Sequence, residues 1–144
     1  MERGEKRTIS NAEWEIMRVV WAQQKTTSNE ILAVLLEKYD WTPSTVKTLL
    51  RRLLDKGYVS REKMGKGFSY SPLIDEDLAM MSEVDSVFQK VCQTKHVAIV
   101  RHLLESIPMT EKARLNLQSS LEAKKGKTLE RVACNCIPGQ CQCH

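Results

Sequence analysis

Hydrophobic positions recur every three or four residues along most of the chain, with one short interruption near its middle. Trp14, Met17 and Trp21 share a stripe, with Ile16 and Val20 beside it, which is the period of one helical face. Ser10-Asn11-Ala12-Glu13 precedes the stripe as a capping box: the serine hydroxyl accepts from the backbone N–H three residues on, and the glutamate reaches back. A first core helix is therefore predicted to run to about Gln24. Thr27-Ser28-Asn29-Glu30 repeats the capping signal, and Ile31, Leu32, Leu35 and Leu36 carry a second helix towards Tyr39-Asp40. Thr42-Pro43 places an N-cap residue before a proline at the first helical position. The third helix it opens continues to Lys56 and stops at Gly57, burying Val46, Leu49, Leu50, Leu53 and Leu54.

The polar side of that third helix carries Ser44, Lys47, Thr48 and Arg51, flanked by Thr45 and Arg52. Hydroxyls near the start and long cations further along suit a helix in a DNA major groove, where they reach base edges and phosphates. A solvated face would look the same, and the next segment decides between them. There the period falls to two: Tyr58–Lys63 is predicted as a strand, Met64–Gly67 as a turn, and Phe68–Ser71 as the return strand. Three helices and a hairpin with a basic tip give the order of a winged helix-turn-helix, with Arg61, Lys63 and Lys66 along the wing beside the phosphate backbone.

After Pro72-Leu73 the helical period returns, with Asp75 as a cap. Leu78, Met81, Val84, Phe88 and Val91 mark one helix, and Val97, Val100, Leu103, Leu104 and Ile107 a second. Thr110 caps a third with Ala113, Leu117 and Leu121 on one face. Three apolar stripes on short helices need more cover than a small extension provides, so a homodimer is expected, most simply a two-fold one. Lys124-Lys125-Gly126-Lys127 is expected to be a linker.

Charge sharpens this division. Residues 1–73 hold 13 Lys and Arg against 9 Asp and Glu, whereas residues 74–144 hold 9 of each. The basic excess concentrates at 44–73, with 7 basic and 2 acidic residues, as expected of a polyanion-binding face. The opening residues Met1–Arg7 are charged and lead into no apolar run, so neither a secretory signal nor a membrane partner is expected. A cytoplasmic, bacterial location would keep the thiols reduced.

Those thiols are the remaining chemistry. Cys134-x-Cys136 and Cys141-x-Cys143 flank Pro138-Gly139, a turn dipeptide that folds the two pairs towards each other. Four convergent thiolates suit zinc or Cu(I). Cys92 is assigned to the apolar face of its helix as a small core residue, and His144 to a frayed terminus. His96 and His102, six apart, do not make a metal pair on one helix. With no phosphate-binding glycine loop, nucleophile elbow or His-Glu-x-x-His motif, an enzyme is not expected.

Ile9–Trp21 and Trp41–Leu53 resemble the penicillinase-repressor (BlaI/MecI) winged-helix family, and the Cys-x-Cys-x4-Cys-x-Cys tail resembles its CopY-type, copper-responsive branch. The resemblance implies a homodimer on double-stranded operator DNA with a TACA…TGTA inverted repeat. It further implies Zn(II) in the tail of the repressing form, displaced by Cu(I) on induction of a copper-export operon. Ser44, Thr45, Lys47 and Thr48 stand where family members contact DNA. A Cu(I)-donor chaperone is a candidate partner.

The expected fold is mainly α with a small β-hairpin. It divides into a winged-helix DNA-binding domain at 1–73, a helical dimerisation region at 74–123, and a linker with a metal hook at 124–144. The metal set expected is Cys134, Cys136, Cys141 and Cys143. Two other functions stay open at this point: a thiol-rich Cu(I) buffer or chaperone, and a repressor of the same fold answering another soft metal.

Overall fold

A computed structural model describes residues 8–143. The charged opening Met1–Arg7 and the terminal His144, about both of which the sequence raised expectations, lie outside the described residues. The chain divides into two compact units, one ending at Glu83 and the other beginning at Val84.

The first unit begins with helix α1, Asn11–Gln23, and the full capping box forms as the sequence predicts. The Ser10 hydroxyl accepts from Glu13 N–H at 3.1 Å, and Glu13 accepts from Ser10 N–H at 2.9 Å. Gln24 ends the helix in a left-handed conformation, φ 63°. Helix α2, Ser28–Leu35, is shorter than its apolar pattern suggests. Its Thr27 cap differs from a full box too, because the Glu30 carboxylate accepts from the Thr27 hydroxyl instead of the backbone. Between these helices lies a short strand not expected from the sequence, β1, Thr26–Thr27. Helix α3, Pro43–Asp55, starts at the Thr42 cap and ends one residue early, with Gly57 at φ 77° just beyond.

The hairpin follows as strands β2, Val59–Met64, and β3, Gly67–Pro72, paired antiparallel with Met64 opposite Gly67. Its loop is thus only Gly65-Lys66, and Gly65 at φ 60° supplies the positive dihedral such a tight hairpin requires. Because β1 pairs with β3, Thr26 opposite Tyr70, the sheet has three strands in the order β1-β3-β2. Two residues of β1 thus anchor the base of the wing to the segment joining α1 and α2.

The core lies among these elements. Ile16, Met17, Val20, Ile31, Val46, Leu50 and Leu53 are fully buried, closed from the sheet side by Val59 and Tyr70. One charge is enclosed with them. Glu13 is buried and takes both oxygens to Lys56 Nζ, at 2.9 and 3.0 Å, while the same ammonium donates to Thr8 O at 3.1 Å. Burial works against ionisation of Glu13, but the bonds from Lys56 and Ser10 prevail and hold its carboxyl below the usual range.

Helix α4, Glu76–Gln89, carries the division between the units, and the Asp75 carboxylate accepts from Leu78 N–H at 3.2 Å. Beyond it a 3-10 turn, Gln93–Lys95, leads into helix α5, His96–Ser106, and Thr110 caps helix α6, Glu111–Glu122. Neither α5 nor α6 buries a single residue. Among the described residues no helix is long and apolar enough to cross a membrane.

Candidate DNA-binding face and thiol centre

The third helix turns its apolar stripe into the core, so its other side is left to solvent. Ser44, Lys47, Thr48, Arg51 and Arg52 are all exposed and line one shelf. At 13 residues α3 is about 20 Å long, enough to lie along a major groove about 12 Å wide. Thr45 differs from its neighbours: it is half-buried and its hydroxyl sits 3.1 Å from that of Thr42, at the helix cap.

The wing adds to this face. Lys47 and Arg51 of α3, Arg61 of β2 and Lys66 of the hairpin loop line one groove of about 480 Å³, together with Ser28 and Asn29. Four cations around one groove, with no carboxylate on its wall among the described residues, favour an anionic occupant. Arg61 is held in place by its guanidinium 4.1 Å above the Phe68 ring. Lys63 is exposed on the same strand but does not line the groove. Sequence reading missed Ser28 and Asn29, because their role in starting α2 accounts for both residues without any partner. The β1–β3 pairing, which brings the start of α2 to the wing, has no signature in the chain.

The second unit holds a different kind of site. The Cys-rich tail is folded by a turn at Pro138-Gly139, closed by Ile137 N–H on the Gln140 side chain at 3.2 Å and Gln140 N–H on Ile137 O at 3.1 Å. Within it Cys134 Sγ lies 3.7 Å from Cys143 Sγ, and Cys136 Sγ lies 3.6 Å from the same sulfur. Cys141 Sγ is 3.3 Å from Cys134 Sγ. The sequence assigned Cys92 to a helix face, yet α4 ends at Gln89 and Cys92 stands in the corner before the 3-10 turn. There its sulfur comes 3.9 Å from Cys134 Sγ and 3.5 Å from Cys143 Sγ.

Among the described residues, Cys92, Cys134, Cys136 and Cys143 form a quartet with all sulfurs within 4.8 Å of one another. A zinc–sulfur bond of about 2.3 Å gives a tetrahedron whose edges are about 3.8 Å. Sulfur separations of 3.5 to 3.9 Å from Cys92 to Cys134 and Cys143, and from Cys143 to Cys134 and Cys136, match that edge. The donor set therefore fits zinc, and its softness equally fits Cu(I).

Protons are unevenly shared in the cluster. Hydrogen bonds from the Thr94 hydroxyl and backbone, then from Asn135 N–H, pull Cys92 down to about 5. Cys136 is pushed far up, first by the Cys92 sulfur and then by that of Cys134. Sulfurs this close cannot all ionise alone, and a bound cation is what would let them. His96 stands apart from the thiols: its Nε2 hydrogen is shared between Phe88 O and Val91 O, both at 2.9 Å, which pins the α4–α5 corner.

A three-helix core, a small sheet and a cation-lined recognition helix define a winged-helix DNA-binding protein. The penicillinase-repressor family model matches residues 9–123, and the chain belongs to that family, one of transcriptional repressors and not of enzymes. It is 36% identical over 135 residues to a 16.5 kDa protein of the ptsI 3′ region in Latilactobacillus sakei, covering 94% of this chain and 92% of that one. It is 30% identical over 122 residues to the penicillinase repressor of Bacillus licheniformis, covering 85% and 95% of the two chains. Among solved structures, a CopR repressor is 42% identical with a TM-score of 0.41, over 48% of this chain and 100% of that one.

Proposed function

We propose that the chain is a copper-responsive repressor of a copper-export operon, acting as a homodimer on an inverted-repeat operator in the bacterial cytoplasm. The observation that carries this reading is a dense thiol cluster in the second unit of a DNA-binding repressor. A repressor needs a signal, and this cluster is the part of the chain with chemistry specific enough to receive one.

Zn(II) occupies the thiol centre of the repressing form, held by the tail cysteines, and Cu(I) replaces it on induction. Four thiolates around one Zn²⁺ and around two Cu⁺ carry the same net charge, so a change of shape has to carry the signal. Zinc prefers a tetrahedron, whereas Cu(I) accepts two or three sulfurs and shares them between ions. Moving a two-state equilibrium from one extreme to the other takes about 5.5 kcal/mol of differential binding, a size that metal–thiolate bonds can supply.

Dimerisation is supported by the second unit itself. Val97, Val100, Leu104 and Leu121 are 45% to 71% exposed on α5 and α6, a run of apolar surface that a second copy would cover. Two copies also place two α3 helices on the half-sites of a two-fold operator.

The test is fluorescence anisotropy of zinc-loaded protein on a TACA…TGTA duplex, with Cu(I) added anaerobically. Tight, salt-dependent binding that Cu(I) abolishes as zinc is released is the expected result. Binding indifferent to Cu(I) would overturn the copper trigger and leave the DNA-binding repressor. No specific binding would favour a thiol-rich Cu(I) carrier.

A further inference from the structure

We infer that Cys92 is a metal ligand, so that metal binding fastens the C-terminal tail to the corner between α4 and α5. The inference rests on the thiol-metal reading above but goes beyond its Cys-x-Cys-x4-Cys-x-Cys tail, to a residue 42 positions upstream of Cys134.

Two independent sets of contacts bring this corner and the tail together. The first is the sulfurs: Cys92 lies within ligand-sharing distance of Cys134 and Cys143, and with Cys136 they complete the quartet. The second involves no thiol of the corner. Gln93 N–H donates to Asn135 Oδ1 at 2.9 Å, and Gln93 Nε2 donates to Ala133 O at 2.7 Å. The Thr94 hydroxyl, whose one proton serves either sulfur, also lies 3.3 Å from Cys143 Sγ and 3.1 Å from Cys92 Sγ, the position of an outer partner to metal-bound thiolates. Residues 92–94 therefore form a receptor for residues 133–143, and the sulfur of Cys92 points into its centre.

The geometry also sorts the tail thiols. Cys141 stands outside the quartet, 3.3 Å from Cys134, where it extends the site to five sulfurs. Four satisfy one tetrahedral zinc. Five offer Cu(I) ions the shared, lower-coordinate sulfurs they favour. A tail carrying all its own ligands could bind metal without informing the rest of the protein. With Cys92 as a ligand, metal exchange acts directly where α4 passes into α5, the helices whose apolar faces await a second copy.

The experiment uses the reduced full-length chain with Co(II) and Zn(II) as probes. In wild type, saturating Zn(II) should protect Cys92 from maleimide alkylation together with Cys134, Cys136 and Cys143, as mapped by mass spectrometry. In Cys92→Ser, the thiolate-to-Co(II) charge-transfer band should fall by about a quarter, one ligand in four. Zinc affinity against a chelator should fall by about a hundredfold or more, beyond the range for outer-shell partners. If zinc-loaded wild type leaves Cys92 fully reactive while the tail cysteines are protected, the inference is overturned and the tail reading stands. If neither metal produces thiolate bands or protection in wild type, both fall. The alkylation arm needs no variant, so a Cys92→Ser chain that failed to fold would leave the inference decidable.

Discussion

The two units of this protein use the same helical period to opposite ends. In the first, Leu50 of α3 is fully buried and belongs to a core closed by the sheet; in the second, Leu104 of α5 is 45% exposed. Both residues sit on regular apolar stripes, and nothing in their immediate sequence tells them apart. The difference teaches that amphipathic periodicity specifies a face to be covered and leaves open what covers it. Three helices and a sheet cover one another in the first unit. The second, in our proposal, relies on metal–thiolate bonds and on a second copy.

The sharpest way to break this comparison is to make the same truncation in both units. Leu50→Ala should destabilise the first unit by about 3 kcal/mol, within the range for buried leucines, as read by chemical denaturation. Leu104→Ala should leave the unfolding of the first unit unchanged and weaken self-association, as read by sedimentation. Equal losses of stability in the two would contradict the assignment of α5 as an interface element.

A comparable loss, about 3 kcal/mol, is expected for Lys56→Met, which strands the buried Glu13 carboxylate. Its pH dependence carries a sign. The Glu13 carboxyl is held below its ordinary value, so its contribution is fully present above the unfolded carboxylate range and is lost as pH falls through the lower folded value. The gap between wild type and Lys56→Met should therefore narrow in acid. A gap constant down to the acid limb would mean that Glu13 and Lys56 are not coupled.

Smaller effects should appear on the DNA face. Lys47→Ala ought to weaken duplex binding and lower the salt slope by about one, with little change in unfolding, since the side chain is exposed. An unchanged slope would place Lys47 away from phosphate. The smallest effect concerns Ser69, whose hydroxyl is buried and has no hydrogen-bond partner among the described residues. Ser69→Ala should be neutral or slightly stabilising, within about 0.5 kcal/mol, by thermal unfolding.

Much of the first unit was legible in the chain because its signals are local. Ser10 with Glu13, Thr42 with Pro43, and Gly57 mark helix ends through hydrogen bonds and dihedrals that span three or four residues. The exposed cations of α3 and the wing follow from the same periodicity, since burying one face fixes the other. The short strand β1 was not legible, because two threonines have no period of their own and gain their conformation only by pairing with Tyr70 and Ser69. Nor could the groove joining Ser28 and Asn29 to Arg61 and Lys66 be foreseen, since it exists only once that pairing is made.

Cys92 marks the boundary most clearly. Its sequence context continues an apolar stripe, and on that basis it belongs in a core. The helix ends at Gln89, and the His96 ring donates to the carbonyls of Phe88 and Val91, so the chain turns where the stripe would have run on. The sequence by itself determined where most helices start, their caps, the basic face of α3 and the supply of soft ligands, because each depends on residues near one another along the chain. Only the tertiary structure decided which thiols meet. Sulfurs 42 positions apart are brought to 3.9 Å by a corner and a returning tail, and the closing of such a loop is set by long-range contacts that no local pattern encodes.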